Sequence, residues 1–208
     1  MVTWLVNLYG SQEAFINEYQ NMLGEKLITI TEPSKIDEEI KKFELLKAKF
    51  GDNYLQNCQV IVRDIRDSKR INKNVHKTHD NQLKKMELEN ANDMTLDFLT
   101  FNKLNAIFLS KSYWPINYDY EAFKIPAHLQ QTFDQYAEKY SETKAMRRLM
   151  WHHSLGGVDL SLSFDNGSFN FKCLPTHAIL IGYFDERRNI NDFLFLKYLK
   201  IMVIREYH

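Results

Sequence analysis

VDLSLSFDNGSFNFKC, residues 158–173, decides how the second half of this chain folds. Val158, Leu160, Leu162 and Phe164 alternate with Asp159, Ser161 and Ser163, the period of a strand with one buried face. Asn166-Gly167 is a strong hairpin signal, because both central residues of a type I′ turn take positive φ. A two-residue loop there sets Phe164 opposite Phe169, Leu162 opposite Phe171 and Leu160 opposite Cys173, all six on one face. A lone hairpin is marginal in water, so this one requires further strands or a helix against it.

The chain around it has 208 residues, 44% hydrophobic and 26% charged, enough apolar content for a true core in one large domain or two small ones. Lys+Arg and Asp+Glu both number 27, a balance that counts against a dedicated nucleic-acid binder. No apolar run approaches the ~18 residues of a membrane span, and MVTWLVNLYGSQEAF lacks the basic region and cleavage site of a signal peptide. Cys58 and Cys173 are the two cysteines. They are expected to be reduced core residues, and two cannot build a Cys₄ or Cys₃His zinc site.

The first 75 residues predict helices. Ser11 is a cap candidate for a helix with Phe15, Tyr19, Met22 and Leu23 on its apolar face. Ser34 is a second cap, followed by Ile36, Ile40, Phe43 and Phe50, with Gly51 as the stop. Asp52 opens a third helix with Tyr54, Cys58, Ile61 and Ile65 on one stripe. Its opposite face, from Arg63 and Asp64 to Arg70, is expected to be solvated. Residues 76–95 are polar and poorly periodic and predict a linker or an exposed helix, with His76 and His79 on its surface.

Asn105 to Ser110 predicts a buried strand ending near Trp114-Pro115. Pro126 opens a helix carrying Leu129, Phe133, Tyr136 and Tyr140 at helical spacing. Arg147 and Arg148 flank a strand, and Leu174-Pro175-Thr176 leads into a helix over Ala178–Phe184. From Asp185 the pattern weakens. No GxGxxG, GxxxxGK[ST], HExxH or GxSxG motif occurs. His152 and His153 are neighbours on opposite faces of a strand, and His177 sits at a helix turn. No catalytic residue and no metal ligand set stands out, and the expected product is a non-catalytic interaction scaffold without a cofactor.

Several stretches resemble the cullin family, in family order. LLKAKFGDNYLQNCQVIVRDIRDSKRIN (Leu45 to Asn72) is similar to a helical segment of the cullin homology region, most closely in DIRDSKRIN. NLYGSQEAFINEYQNML (Asn7 to Leu23) resembles the helix before it. FLSKSYWP (Phe108 to Pro115) is similar to a strand ending in Trp-Pro. KAMRRLMWHHSLGGVDLSLSF (Lys144 to Phe164) resembles a strand, a Leu-Gly turn and the next strand. LPTHAILIGYF (Leu174 to Phe184) resembles the helix that follows.

The resemblance implies an α+β fold, with an N-terminal helical bundle (1–103, including a polar linker at about 76–95) and an α/β domain (104–185). Its mostly antiparallel sheet would be completed by a partner strand. Residues 186–208 would be a winged-helix remnant or a divergent tail. The implied role is scaffolding in a multi-subunit RING ubiquitin ligase of nucleus and cytoplasm that controls mitotic progression. The implied partners are a small zinc-binding RING subunit, other ligase subunits and, indirectly, a ubiquitin-conjugating enzyme. No membrane, no nucleic acid, no metal and no cofactor of its own are expected. Val158, Leu160, Leu162, Phe164, Phe169 and Phe171 are the expected RING-binding residues. The family's long N-terminal arm and terminal winged-helix domain have no counterpart here, so their functions are not carried over. Competing readings are a scaffold of another cullin–RING ligase, a winged-helix nucleic-acid binder using Arg147, Arg148, Arg187 and Arg188, and an enzyme with an unrecognised site.

Overall fold

The computed structural model describes residues 11–87, 101–116, 125–143, 147–164, 167–188 and 194–207. Three helices come first: α1 (Gln12–Thr29), α2 (Pro33–Phe50) and α3 (Gln56–Glu87). Then follow β1 (Leu104–Leu109), α4 (Ala127–Thr143), β2 (Arg147–Phe164), β3 (Gly167–Cys173), α5 (Pro175–Arg188) and β4 (Leu194–Tyr207). The fold is α+β.

The helices start and stop where local chemistry dictates. The Ser11 hydroxyl accepts from the Ala14 amide at 3.0 Å and caps α1. Ser34 is not a cap. Pro33 takes the first helical position of α2, where its missing N–H costs nothing, and Glu32 precedes it. Gly51 ends α2 with φ 85, a left-handed conformation open to glycine. Asp52 to Leu55 form a turn, so α3 begins later than expected. Tyr54 consequently points to solvent at 60% exposure, and Leu55 takes its place in the core with Cys58, Ile61, Val62 and Ile65. Met22 of α1 is likewise exposed, and Ile16, Leu27 and Ile28 join Tyr19 and Leu23 inside.

α3 continues to Glu87, so 76–87 is helix and not linker. The remaining residues of the expected linker, 88–95, lie outside the described residues.

Two apolar cores share β1. Ile107 and Leu109 face the bundle formed by Leu23, Leu27, Phe43, Leu55 and Ile61. Leu104, Ala106 and Phe108 face Phe133, Tyr136 and Tyr140 of α4, Val158 and Leu160 of β2, and Ala178 of α5. A strand buried on both faces needs apolar residues, and LNAIFL supplies them at every position except the half-buried Asn105.

The sheet has four strands in the order β1-β4-β2-β3. β4 runs parallel to β1 and antiparallel to β2, and β2 runs antiparallel to β3. Within the expected winged-helix remnant or divergent tail, Leu194–Tyr207 is an inner strand of this sheet. The apolar, β-branched run LFLKYLKIMVI suits a strand flanked on both sides.

The hairpin forms with Phe164 opposite Gly167, Leu162 opposite Phe169, Leu160 opposite Phe171 and Val158 opposite Cys173. The expected register is off by two residues, because Gly167 already belongs to β3 and the reversal occurs one residue earlier. A shift of two leaves every side chain on its expected face. The expected Leu155-Gly156 turn is instead an irregularity inside the continuous strand β2, with Gly156 at φ 144.

The bundle meets the sheet at the corner between α1 and α2. A Cβ on Gly157 would lie 2.8 Å from the Thr29 carbonyl oxygen, so glycine permits the close approach. Thr31 donates to the Asp159 carboxylate at 3.1 Å, and Lys172 of β3 pairs with Glu32.

Candidate functional site

The backbone edges of the sheet are the candidate site, and the two edges of β1 are closed in different ways. On one side β1 pairs with β4 over six consecutive residues. On the other side α3 presents four polar side chains at intervals of four residues. They meet every second residue of β1 and the residue after it.

The His76 Nε2–H donates to the Leu104 carbonyl at 2.9 Å. The Asn72 side-chain amide donates to the Ala106 carbonyl and accepts from the Ala106 N–H, both at 2.9 Å, as a neighbouring strand would. The Ser68 hydroxyl accepts from the Phe108 N–H at 2.8 Å and donates back to the Asp64 carbonyl at 2.6 Å. The Asp64 carboxylate accepts from the Ser110 N–H at 2.8 Å, the Ser110 hydroxyl at 3.0 Å and the Trp114 indole N–H at 2.9 Å.

The match is geometric. Four helical residues rise about 6.0 Å and two strand residues about 6.6 Å, so the two series stay in step over four pairings. Asn72 also accepts from the Tyr136 hydroxyl, which ties α4 to the same point. Asp64, Ser68 and Asn72 are buried at 5%, 4% and 7% exposure. Asp64 therefore does not belong to the solvated face of α3. That face is formed by Arg66, Lys69 and Arg70, which pair with Glu44, Asp37 and Asp67.

The spacing Asp-x₃-Ser-x₃-Asn-x₃-His was the available sequence signal, with three of its members inside or beside DIRDSKRIN. Charge pattern concealed it, because Asp64 stands among charged neighbours.

The histidines are structural too. His76 packs edge-on to Phe101 and Tyr136, and His79 stacks on Phe101 at 3.8 Å. Burial lowers the pKa of both, so neither is the solvated surface group expected. Among the described residues no group of three or more His, Cys, Asp or Glu side chains is placed to hold a metal ion. Cys58 is fully buried, which pushes its thiol up to about 11 and leaves little thiolate at neutral pH. Cys173 is half-buried, and burial raises its pKa as well.

The six expected RING-binding residues divide into two groups. Val158 and Leu160 are 1% exposed and spend their side chains on the core. Leu162 is half-buried, whereas Phe169 and Phe171 are 49% and 44% exposed on the outer strand β3. Phe164 pairs through its backbone with Gly167, and its side chain lies outside the described residues. The hairpin thus carries its buried apolar face into a partly open apolar patch toward β3. The Asn166 turn residue and the side chains of Arg147, Arg148, Arg187 and Arg188 also lie outside the described residues.

A helical bundle docked on a small mixed sheet is the geometry that comparisons with known proteins meet. The family model of the cullin alpha+beta domain matches residues 108–200. Anaphase-promoting complex subunit 2 of Arabidopsis thaliana is 37% identical over 185 residues, covering 89% of this chain and 20% of the relative. The Dictyostelium discoideum subunit is 34% identical over 198 residues, covering 92% and 20%. The Homo sapiens subunit is 30% identical over 187 residues, covering 90% and 21%. The chain spans about a fifth of the length of these relatives. With the α+β fold observed and these matches running along nearly all of it, the chain belongs to the cullin family, as a cullin-homology region similar to that of anaphase-promoting complex subunit 2.

Proposed function

We propose that this chain is a non-catalytic scaffold in the anaphase-promoting complex, a multi-subunit RING ubiquitin ligase of nucleus and cytoplasm that acts in mitosis. Its α/β domain holds a small zinc-binding RING subunit by adding that subunit's strand to the sheet. Other subunits of the complex are further partners, and a ubiquitin-conjugating enzyme is engaged indirectly, through the RING subunit. Main-chain hydrogen bonds supply the affinity in this mode of recognition, and flanking side chains supply selectivity.

One observation carries the reading: the sheet has a direction in which it can accept a strand. The β1 edge facing α3 is closed by Asp64, Ser68, Asn72 and His76. The other edge of β1 is met by backbone alone, in its six-residue pairing with β4, and backbone groups are what a partner strand also offers. The high thiol pKa of buried Cys58 fits a scaffold better than a covalent ubiquitin carrier.

Co-expression with the RING subunit tests the proposal. A 1:1 complex carrying the RING subunit's zinc is expected, with no thioester-linked ubiquitin on this chain when activating and conjugating enzymes are supplied. A reducible ubiquitin adduct on Cys58 or Cys173 would make the chain a covalent catalyst, and failure to co-purify with any RING subunit would end the scaffold reading.

A further inference from the structure

The strand β4 is the last element of the described chain, yet it lies inside the sheet. Its two neighbours, β1 and β2, do not pair with each other. Without β4 they would face one another across two strand spacings, about 9.6 Å, a gap that takes one strand. A strand placed there gains hydrogen bonds on both sides, whereas one added outside β3 gains them on a single side. The far edge of β1 offers no alternative, since α3 closes it.

The fit of β4 to this gap is uneven. Its parallel pairing with β1 is continuous from Leu104↔Leu199 to Leu109↔Ile204. Its antiparallel pairing with β2 breaks twice. Between His152↔Met202 and Gly156↔Ile201, three residues of β2, His153, Ser154 and Leu155, have no partner across the ladder. Between Asp159↔Tyr198 and Leu160↔Leu196 the register slips again, at Lys197. An interrupted ladder can peel in segments, so exchange does not require every bond to break at once.

We propose that β4 is an intramolecular competitor for the partner strand: the gap between β1 and β2 holds either this chain's Leu194–Tyr207 or the strand of the RING subunit. This rests on the strand-addition reading above and names its site. A tethered strand competes at a high effective concentration. The free chain is therefore closed, and the partner's apparent affinity is reduced by the fraction of chains in which β4 is displaced.

The test locks β4 in place in the whole chain. Met150 and Ile204 are opposed residues of the β2–β4 ladder, and Met150 is exposed. Opposed Cα atoms in an antiparallel pair lie about 4.5 to 5.5 Å apart, within the reach of a disulfide. In Met150→Cys/Ile204→Cys, β4 is held at one end by the disulfide and at the other by its connection to α5. The protein is oxidised, freed of oxidant and offered the zinc-loaded RING subunit, and a reduced sample is treated in parallel. The expected result is a complex with the reduced form and at least a tenfold loss of binding with the oxidised form. Amides of residues 194–207 should lose hydrogen-exchange protection in the wild-type complex. Equal binding by both forms, with β4 still protected, would overturn the competition and leave the RING reading standing, with docking outside β3. Absence of binding by the reduced form and by wild type alike would overturn both.

Discussion

The two edges of β1 solve the same chemical problem with different materials. Toward α3, backbone groups at Leu104, Ala106, Phe108 and Ser110 are met by side chains from a helix. Toward β4 the backbone groups on the other edge of β1 are met by another backbone. A side-chain closure is specific: each partner is a particular residue at a particular rotamer, and each buried group loses its mate when that residue changes. A backbone closure is generic, because any strand presents the same N–H and C=O groups at the same spacing. The first edge is therefore a permanent joint between bundle and sheet. The second admits exchange, which is why the partner strand is assigned to it.

The largest effect should come from the centre of the specific edge. Asn72→Leu removes both partners of Ala106 and the acceptor of the Tyr136 hydroxyl, all buried. Each orphaned buried group costs about 1 to 3 kcal/mol, so with three of them a loss of at least about 3 kcal/mol is expected in urea unfolding. That is a large share of the stability of a small domain. A loss below about 1 kcal/mol would show that water or a shifted β1 replaces Asn72, and the contrast between the edges would collapse.

Much of this architecture was legible from the sequence, and the failures have physical causes. Leu129, Phe133, Tyr136 and Tyr140 were readable because a helix buried along one stripe repeats its apolar residues at 3.6-residue spacing. Observed β1 differs from the expected strand by one residue at each end. The hairpin kept its faces but not its register, since Asn-Gly identifies a reversal without fixing which residue begins the next strand. Asp64, Ser68, Asn72 and His76 were missed because a buried polar residue looks like a surface residue until its partner is known. Those partners, at positions 104–110, lie 28 to 46 residues away. β4 was missed because an apolar run without turn signals does not announce its neighbours, and both of its pairings are long-range. Among the candidate site residues, the split between buried Val158 and Leu160 and exposed Phe169 and Phe171 depends on how far α4 and α5 extend over the sheet.

Acid should attack both edges, to a moderate degree. His76 belongs to the specific edge, and burial lowers its pKa against opposing contributions from the Leu104 carbonyl and Asp80. His153 lies in the stretch of β2 that β4 skips. Burial lowers it to about 4, with His152 adding to the effect. His79 and His152 are lowered as well, mainly by burial, with Lys139 and Lys111 respectively contributing. A histidine held below its unfolded value of about 6.5 binds its proton more readily in the unfolded chain. Its stabilising contribution is therefore complete above that value and is lost as pH falls from about 6.5 toward 4. A tenfold change in proton affinity corresponds to about 1.4 kcal/mol. Screening at these partly exposed rings leaves an expected loss of about 1 to 2 kcal/mol between pH 7 and 5. Thermal unfolding across that range measures it, and His153→Phe should flatten the profile more than His79→Phe. Stability that rises on acidification would contradict the neutral, buried state of these rings.

The smallest effect tests how sharply α3 separates its faces. Arg66 lies two residues from both Asp64 and Ser68, but its side chain is 57% exposed and pairs with Glu44 at 2.9 Å. An exposed ion pair of this kind contributes little, because solvent screens it and ordering two long side chains costs entropy. Arg66→Ala should therefore change stability by no more than about 0.5 kcal/mol, and the loss should shrink further in high salt. Asn72→Leu should keep its full effect at the same salt concentration, since neutral buried hydrogen bonds are not screened. The ratio of the two losses, about six or more, measures the separation between the solvated face of α3 and the face that closes β1. Comparable losses would place Arg66 in the joint, and the rule that every fourth residue of this helix serves the strand would fail at its first test.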